Sequence, residues 1–205
     1  MKKFALLLIG ICLASCSDKK TNVETENDPV SNDTVKYVPP KITENAFEII
    51  PGERIGLTKL EENTETLSEL GKPDFSDSAM GKSWVTWISK DAEKNELNIY
   101  SSYKNSEMNE KVVRQIRITS PKFQTPSEIS TGKTLQEIQK AFPDIKLVAK
   151  YTDDKTKNLV EIYDSETNGI AFEFTQNECA AIIVHTKGKK VTEEYMTLHP
   201  NMEKF

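Results

Sequence analysis

Seven short runs, rich in β-branched and aromatic residues and bounded by charged or turn-forming segments, constrain the fold of this 205-residue chain more than any other feature. Three lie in the first half: Ser83 to Ile88, Glu96 through Tyr100, and Val112 to Ile118. Four follow: Lys146 to Tyr151, Leu159 to Tyr163, Ile170 to Phe174, and Ala180 to His185. The separators, among them Lys90 to Asn95, Asp153-Asp154, Asn168-Gly169 and Asn177-Glu178, carry the residues that reverse a chain. This spacing predicts strands joined as hairpins. A folded body is expected to open near Ala46 to Ile50, ahead of the turn signal Pro51-Gly52.

Two helices are expected between the strand groups. The first covers Thr64 to Leu70, capped by Asn63 or Thr64, with Leu67 and Leu70 on one face and Gly71-Lys72-Pro73 as its stop. The second covers Thr134 to Phe142, where Thr134 and Glu137 fit a capping box and Leu135, Ile138 and Phe142 fall at helical spacing. A helical turn is also expected around Glu193 to Leu198. The order is therefore helix, strands, helix, strands, which predicts an α+β fold of two helix-then-antiparallel-sheet repeats, residues 46–123 and 124–205. Thr64 and Pro73 match Thr134 and Pro143 at one offset, whereas the apolar helix positions match only after a one-residue shift.

The amino terminus is of another kind. Lys2 and Lys3 precede an apolar stretch, Phe4 to Leu13, too short to cross a bilayer as a helix. Ala14, Ser15 and Cys16 follow it. Leu13-Ala14-Ser15-Cys16 resembles the lipobox of bacterial lipoproteins. The resemblance implies cleavage before Cys16, acylation of its sulfur and of the new amino terminus, and a location in the cell envelope; Ser17 is compatible with sorting to the outer membrane. Burying acyl methylenes gives roughly 0.8 kcal/mol each, so two or more chains hold stably where one does not. Residues 1–15 thus read as a signal peptide. Residues 16–45, polar with Pro29, Pro39 and Pro40 and few large apolar side chains, read as a flexible tether.

A second resemblance lies in the body. Gly52, Ile55 and Gly56, then Leu70-Gly71 and Pro73-Asp74 ahead of an antiparallel sheet, are similar to the tandem modules of β-lactamase inhibitor protein and of small outer-membrane-assembly lipoproteins. Gly132, Thr134 and Pro143 repeat part of the pattern, with Ala141-Phe142 where Leu-Gly is expected. This resemblance implies a protein-binding scaffold rather than a catalytic mechanism.

Charge and cysteine content remove several functions. Without residues 1–15 the chain keeps 25 basic and 32 acidic residues, net −7, and its only arginines are Arg54, Arg114 and Arg117. Nucleic-acid binding is dominated by phosphate neutralisation, so no nucleic-acid partner is expected. Beyond Cys16 the only thiol is Cys179, inside an apolar strand-like run, which leaves no internal disulfide and no thiolate metal cluster. His185 and His199 are the only histidines and have no metal-ligand spacing, so no metal is expected. Gly132-Lys133-Thr134 lacks the earlier glycine of a phosphate loop, with Ser127 standing there, and serves better as a helix start.

What remains is binding. Trp84 and Trp87, three apart on a strand, point to opposite sides of a sheet. Helices over one side would leave one tryptophan on the other, where Tyr100, Tyr151 and Tyr163 could join it as a partner-binding patch. The expectation is a lipid-anchored, non-catalytic binding or assembly module with a protein partner and no cofactor beyond the lipid on Cys16. The alternative is a small cell-wall or glycan hydrolase using two carboxylates; a purely structural lipoprotein is a third possibility.

Overall fold

The computed structural model describes residues 45–193 and 201–205. The signal peptide, Cys16, the tether and most of the helical turn expected at Glu193 to Leu198 lie outside them.

The seven sequence runs all form strands: β5 (Lys82–Ile88), β6 (Glu96–Tyr103), β7 (Lys111–Ile118), β8 (Lys146–Thr152), β9 (Leu159–Ser165), β10 (Ile170–Thr175) and β11 (Glu178–His185). Five further strands join them. β1 (Ile49–Ile50), β2 (Arg54–Ile55) and β3 (Thr58–Lys59) make a small sheet of their own. β4 (Phe75–Ala79) and β12 (Glu203–Lys204) are the two edges of a nine-stranded antiparallel sheet of order β12-β8-β9-β10-β11-β7-β6-β5-β4.

The expected α+β repeat architecture is not what forms. The described residues are mostly β, and their helical segments are minor: a 3₁₀ segment at Thr64–Leu70 and one α-helix, α1, at Leu135–Ala141. Gly71 and the Pro143 region stop each after seven residues, and each buries a single side chain, Leu67 and Ile138. Segments this short cannot back a sheet. Instead β7 pairs with β11, Ile118 opposite Ile182 and Ile116 opposite Val184, so the strands of both halves run on as one sheet. The capping signals themselves work as read. Asn63 accepts from the Glu65 N–H, and Thr134 and Glu137 form a reciprocal capping box.

Period-two alternation sends side chains to two different environments. On one face Ile99, Ile116, Phe172, Ile182 and Val184 pack with Ile49 and Ile55 of the small sheet, Leu67, Ile138 and Phe142. On the other, Ala149, Tyr151, Val160, Ile162, Ala171 and Ile183 form a second cluster, closed by Val191 and Met202. Met202 also packs against Trp84 and Tyr100. β5 and β8 are six strands apart in the sheet order, about 29 Å if the sheet were flat. One methionine reaches both, so the sheet curls and this second face is concave. Register shifts at Tyr100/Ser101, Leu147/Ala149 and Glu173/Phe174 supply the bends.

Candidate functional site: a polar groove on the concave face

The concave face is polar where most sheet interiors are not. One cross-strand row runs Thr86, Asn98, Arg117, Ile183, Ala171, Asp164. Arg117 is its centre. Its Nε and Nη2 donate to Glu173 Oε2 at 3.1 and 2.7 Å, and its Nη1 donates to Asn98 Oδ1 at 2.7 Å and to Glu96 Oε2 at 3.4 Å. Asn98 Nδ2 in turn donates to Thr86 Oγ1 at 2.8 Å. The Glu173 side chain is 2% exposed and that of Arg117 16%. A carboxylate so deeply placed is tolerated because the guanidinium beside it is fixed and hydrogen-bonded. Glu173 Oε1 has no hydrogen-bond partner among the described residues, nor has the neighbouring Thr175 Oγ1.

A second buried set holds the carboxy-terminal segment. His185 Nε2 lies 2.8 Å from Asp164 Oδ1, Asp164 Oδ2 accepts from the Val191 N–H at 2.9 Å, and Gln115 Nε2 donates to the Val191 carbonyl at 2.7 Å. β12 then pairs with β8, the Phe205 N–H donates to the Val148 carbonyl, and the Lys150 ammonium lies over the Phe205 ring. His185 is thus a structural residue that pins the tail across the concave face.

Among the described residues, the concavity is open between the part packed by Met202 and the β4 edge. A cavity of about 500 Å³ is lined by Phe75, Trp84, Thr86, Asn98 and Arg117 on one side and by Tyr151 and the Asp153–Lys155 turn on the other. A second, of about 350 Å³, continues from it, sharing Glu96, Arg117, Tyr151, Asp153 and Lys155 and adding Glu173 and Thr175. Asp153 Oδ1 accepts from the backbone N–H groups of Lys155 and Thr156 and from the Thr156 hydroxyl, so its carboxylate holds its own turn.

The five aromatic residues expected to make one exposed patch fall into two sets. Trp84, Tyr100 and Tyr151 share the concave face and are buried, 4%, 2% and 5% exposed, with Met202 over Trp84 and Tyr100. Trp87 and Tyr163 are half-buried against the opposite core; Trp87 Nε1 donates to the Gly71 carbonyl, and Tyr163 meets Phe174 edge-on at 5.4 Å. The open aromatic sheet face is therefore corrected: the small sheet, with Leu67, Ile138 and Phe142, packs on one side, and Val191 and Met202 pack on the other. Burial also pushes the Cys179 thiol far above its ordinary range, with the Glu173 carboxylate adding to it, so this sulfur is no nucleophile at neutral pH.

Exposed apolar surface gathers instead around β4. All five of its residues are exposed, no strand pairs with its outer edge among the described residues, and Leu70, Phe75 and Met80 are exposed along this stretch. Sequence reasoning missed β4 because Phe-Ser-Asp-Ser-Ala shows no apolar alternation, and its two-residue turn, Met80-Gly81 with φ of 48° and 80°, replaces the usual Asn-Gly. It also missed Arg117 and Glu173 as a pair. The available signal was an acid inside Ile-Ala-Phe-Glu-Phe and one of only three arginines at strand spacing.

No family model matches the sequence, and no curated protein matches it. Among solved structures, an extracellular protein containing an SCP domain from Bacillus anthracis str. Ames is similar over 63% of this chain, at 13% identity and a TM-score of 0.38. The match spans 44% of that protein, and a likeness this distant carries no argument about function.

Proposed function

We propose that the chain is a lipid-anchored, non-catalytic binding module of the bacterial cell envelope, held through Cys16, most simply at the outer membrane, and docking a protein partner at the β4 edge. The observation that carries this reading is β4 itself. It is an edge strand with no proline, lysine or bulge to blunt it and a single charge, Asp77, and it opens at exposed Phe75 and is followed by exposed Met80. Edge strands are a liability that chains usually guard, and an unguarded one is the template for strand addition by a partner. The lipobox supplies the anchor.

The test is crosslinking in cells with the full chain, followed by pull-down of the wild type beside a Phe75→Lys/Met80→Lys variant. Both positions are exposed, so the variant keeps its fold. A partner recovered with the wild type and lost with the variant supports the reading. Equal recovery with both refutes the edge as the docking surface.

One observation favours the hydrolase alternative: Glu96, Asp153 and Asp154 line one cavity. Against it, Glu96 is bound to Arg117 and Asp153 to its own turn, so neither is placed as a proton donor or nucleophile. Release of sugar from purified cell-wall sacculi by the wild type, lost in Glu96→Gln, would reverse this judgement.

A further inference from the structure

We propose that the partner segment added at β4 is a basic one, with a lysine or arginine opposite Asp77 and an apolar side chain opposite Phe75. This rests on the docking of a protein partner at the β4 edge and names the chemistry of what docks. Register fixes which groups β4 offers. Phe75 pairs with Thr86 and Asp77 with Trp84, so both project to the concave face, while Ser76 and Ser78 project to the other. The two-residue turn Met80-Gly81 makes Ala79 and Lys82 a hydrogen-bonded pair, and the pair types alternate from there. Ser78 and Ser83 then form a non-hydrogen-bonded pair, which fits their hydroxyls standing 2.9 Å apart. The backbone N–H and C=O groups of Ser76 and Ser78 therefore point away from β5. An antiparallel strand, the arrangement of every pair in the nine-stranded sheet, takes its ladder bonds from these two residues. Asp77 falls between them in a non-hydrogen-bonded pair, where facing Cα atoms stand about 4.5 Å apart and side chains are closest.

Charge then selects the partner. Asp77 is exposed and has no ion-pair partner among the described residues. Lys82, opposite Ala79 on β5, lies two strand spacings, about 10 Å, from an added strand, whereas Asp77 lies one spacing away. Salt screens exposed charges beyond about 8 Å, so Asp77 dominates what the added strand feels. The cavity that Phe75 lines leans the same way: Glu96, Asp153 and Asp154 face Arg117 and Lys155, and Arg117 is already bound to Glu173. A second copy of this chain is disfavoured, because the two-fold register that pairs the whole of β4 sets the two Asp77 carboxylates directly opposite each other. An acidic segment meets the same repulsion. A basic one gains an opposite-charge pair, and its residue two positions along lies against Phe75, which is 51% exposed.

A charge swap tests this. The isotope-labelled full chain in mild detergent is titrated with the peptide Thr-Val-Thr-Lys-Thr-Val-Thr and with its counterpart carrying glutamate for lysine, and amide shifts are followed by NMR. The peptide is symmetric about its centre, so either direction aligns lysine with Asp77, and a spin label on its amino terminus reports the direction. The lysine peptide should shift the Ser76 and Ser78 amides saturably, and the glutamate peptide should bind about three- to tenfold more weakly. Asp77→Lys, at an exposed position, should reverse that order, and the label should broaden Ala79 more than Phe75. Equal affinity for the two peptides, preference for the acidic one, or an order unchanged by Asp77→Lys would overturn charge selection while leaving the edge as a docking surface. Broadening of Phe75 rather than Ala79 would overturn the antiparallel register. Binding of neither peptide at millimolar concentration would also overturn the proposal; the edge reading is then decided separately, by whether the crosslinked partner is lost with Phe75→Lys/Met80→Lys.

Discussion

Replacing Arg117 by methionine isolates the interaction that shapes the groove. The substitution keeps the length of the stem and removes the hydrogen bonds to Glu173, Asn98 and Glu96. The Glu96 contact is long and its carboxylate is 37% exposed, so it adds little. The Glu173 side chain is 2% exposed and is left as a buried charge without its partner. Breaking a buried pair in this way costs about 3–5 kcal/mol, against a total stability of roughly 5–15 kcal/mol for a domain. With a urea m-value of about 2 kcal/mol/M, the midpoint should fall by about 2 M. The cycle is completed with Glu173→Met and with both changes together. Two methionines of similar volume restore an apolar contact, so the double variant should be more stable than Arg117→Met alone, with a coupling of about 2 kcal/mol or more. Urea melts followed by far-UV circular dichroism give all four stabilities. A cost below about 1 kcal/mol for Arg117→Met would mean the pair behaves like one at the surface, and the account of the concave face would be wrong.

Three other outcomes follow from the same contacts. Met202→Ala should cost about 1–2 kcal/mol, half the usual figure for a fully buried methionine, and should shift Trp84 emission to longer wavelength as the tail loosens over it. Cys179 should resist a thiol reagent at pH 8 in the native state and react only as fast as the chain opens, because the sulfur is buried and its thiolate suppressed. Glu137, held by the Thr134 backbone N–H and hydroxyl and then by Lys133, should titrate at about 2 by NMR and move back toward the ordinary carboxyl range in Thr134→Ala. Its depressed value means that its contribution to folding is present above the unfolded-state pKa and is lost as pH falls through about 2.

How much of this was legible in the sequence depends on whether local pattern or long-range geometry fixed it. The seven strands were readable because each is rich in β-branched, aromatic or other apolar residues and is bounded by charged or turn-forming segments, and Thr134 with Glu137 announced the start of α1. The fold class was not, because helix signals were read without weighing length: seven residues ending at Gly71 or before Pro143 cannot cover a sheet. β4 escaped because Phe75 to Ala79 is exposed throughout and shows no alternation. The groove escaped for a different reason. Trp84 and Tyr151 line one cavity only because bulges curl a nine-stranded sheet, and no local pattern reports a curl. The same curl, with Met202 beneath, buried Trp84, Tyr100 and Tyr151 where a flat sheet would have exposed them.

The anchored-module account rests on Cys16 before it rests on any surface. Intact-mass spectrometry of the full-length gene product, extracted from membranes of the bacterium that makes it, addresses this directly. The account predicts a chain beginning at Cys16 and carrying the mass of a thioether-linked diacylglycerol with or without an added amide-linked fatty acid. A chain beginning at Met1 with an unmodified Cys16, or one cleaved elsewhere and recovered without lipid, would contradict it.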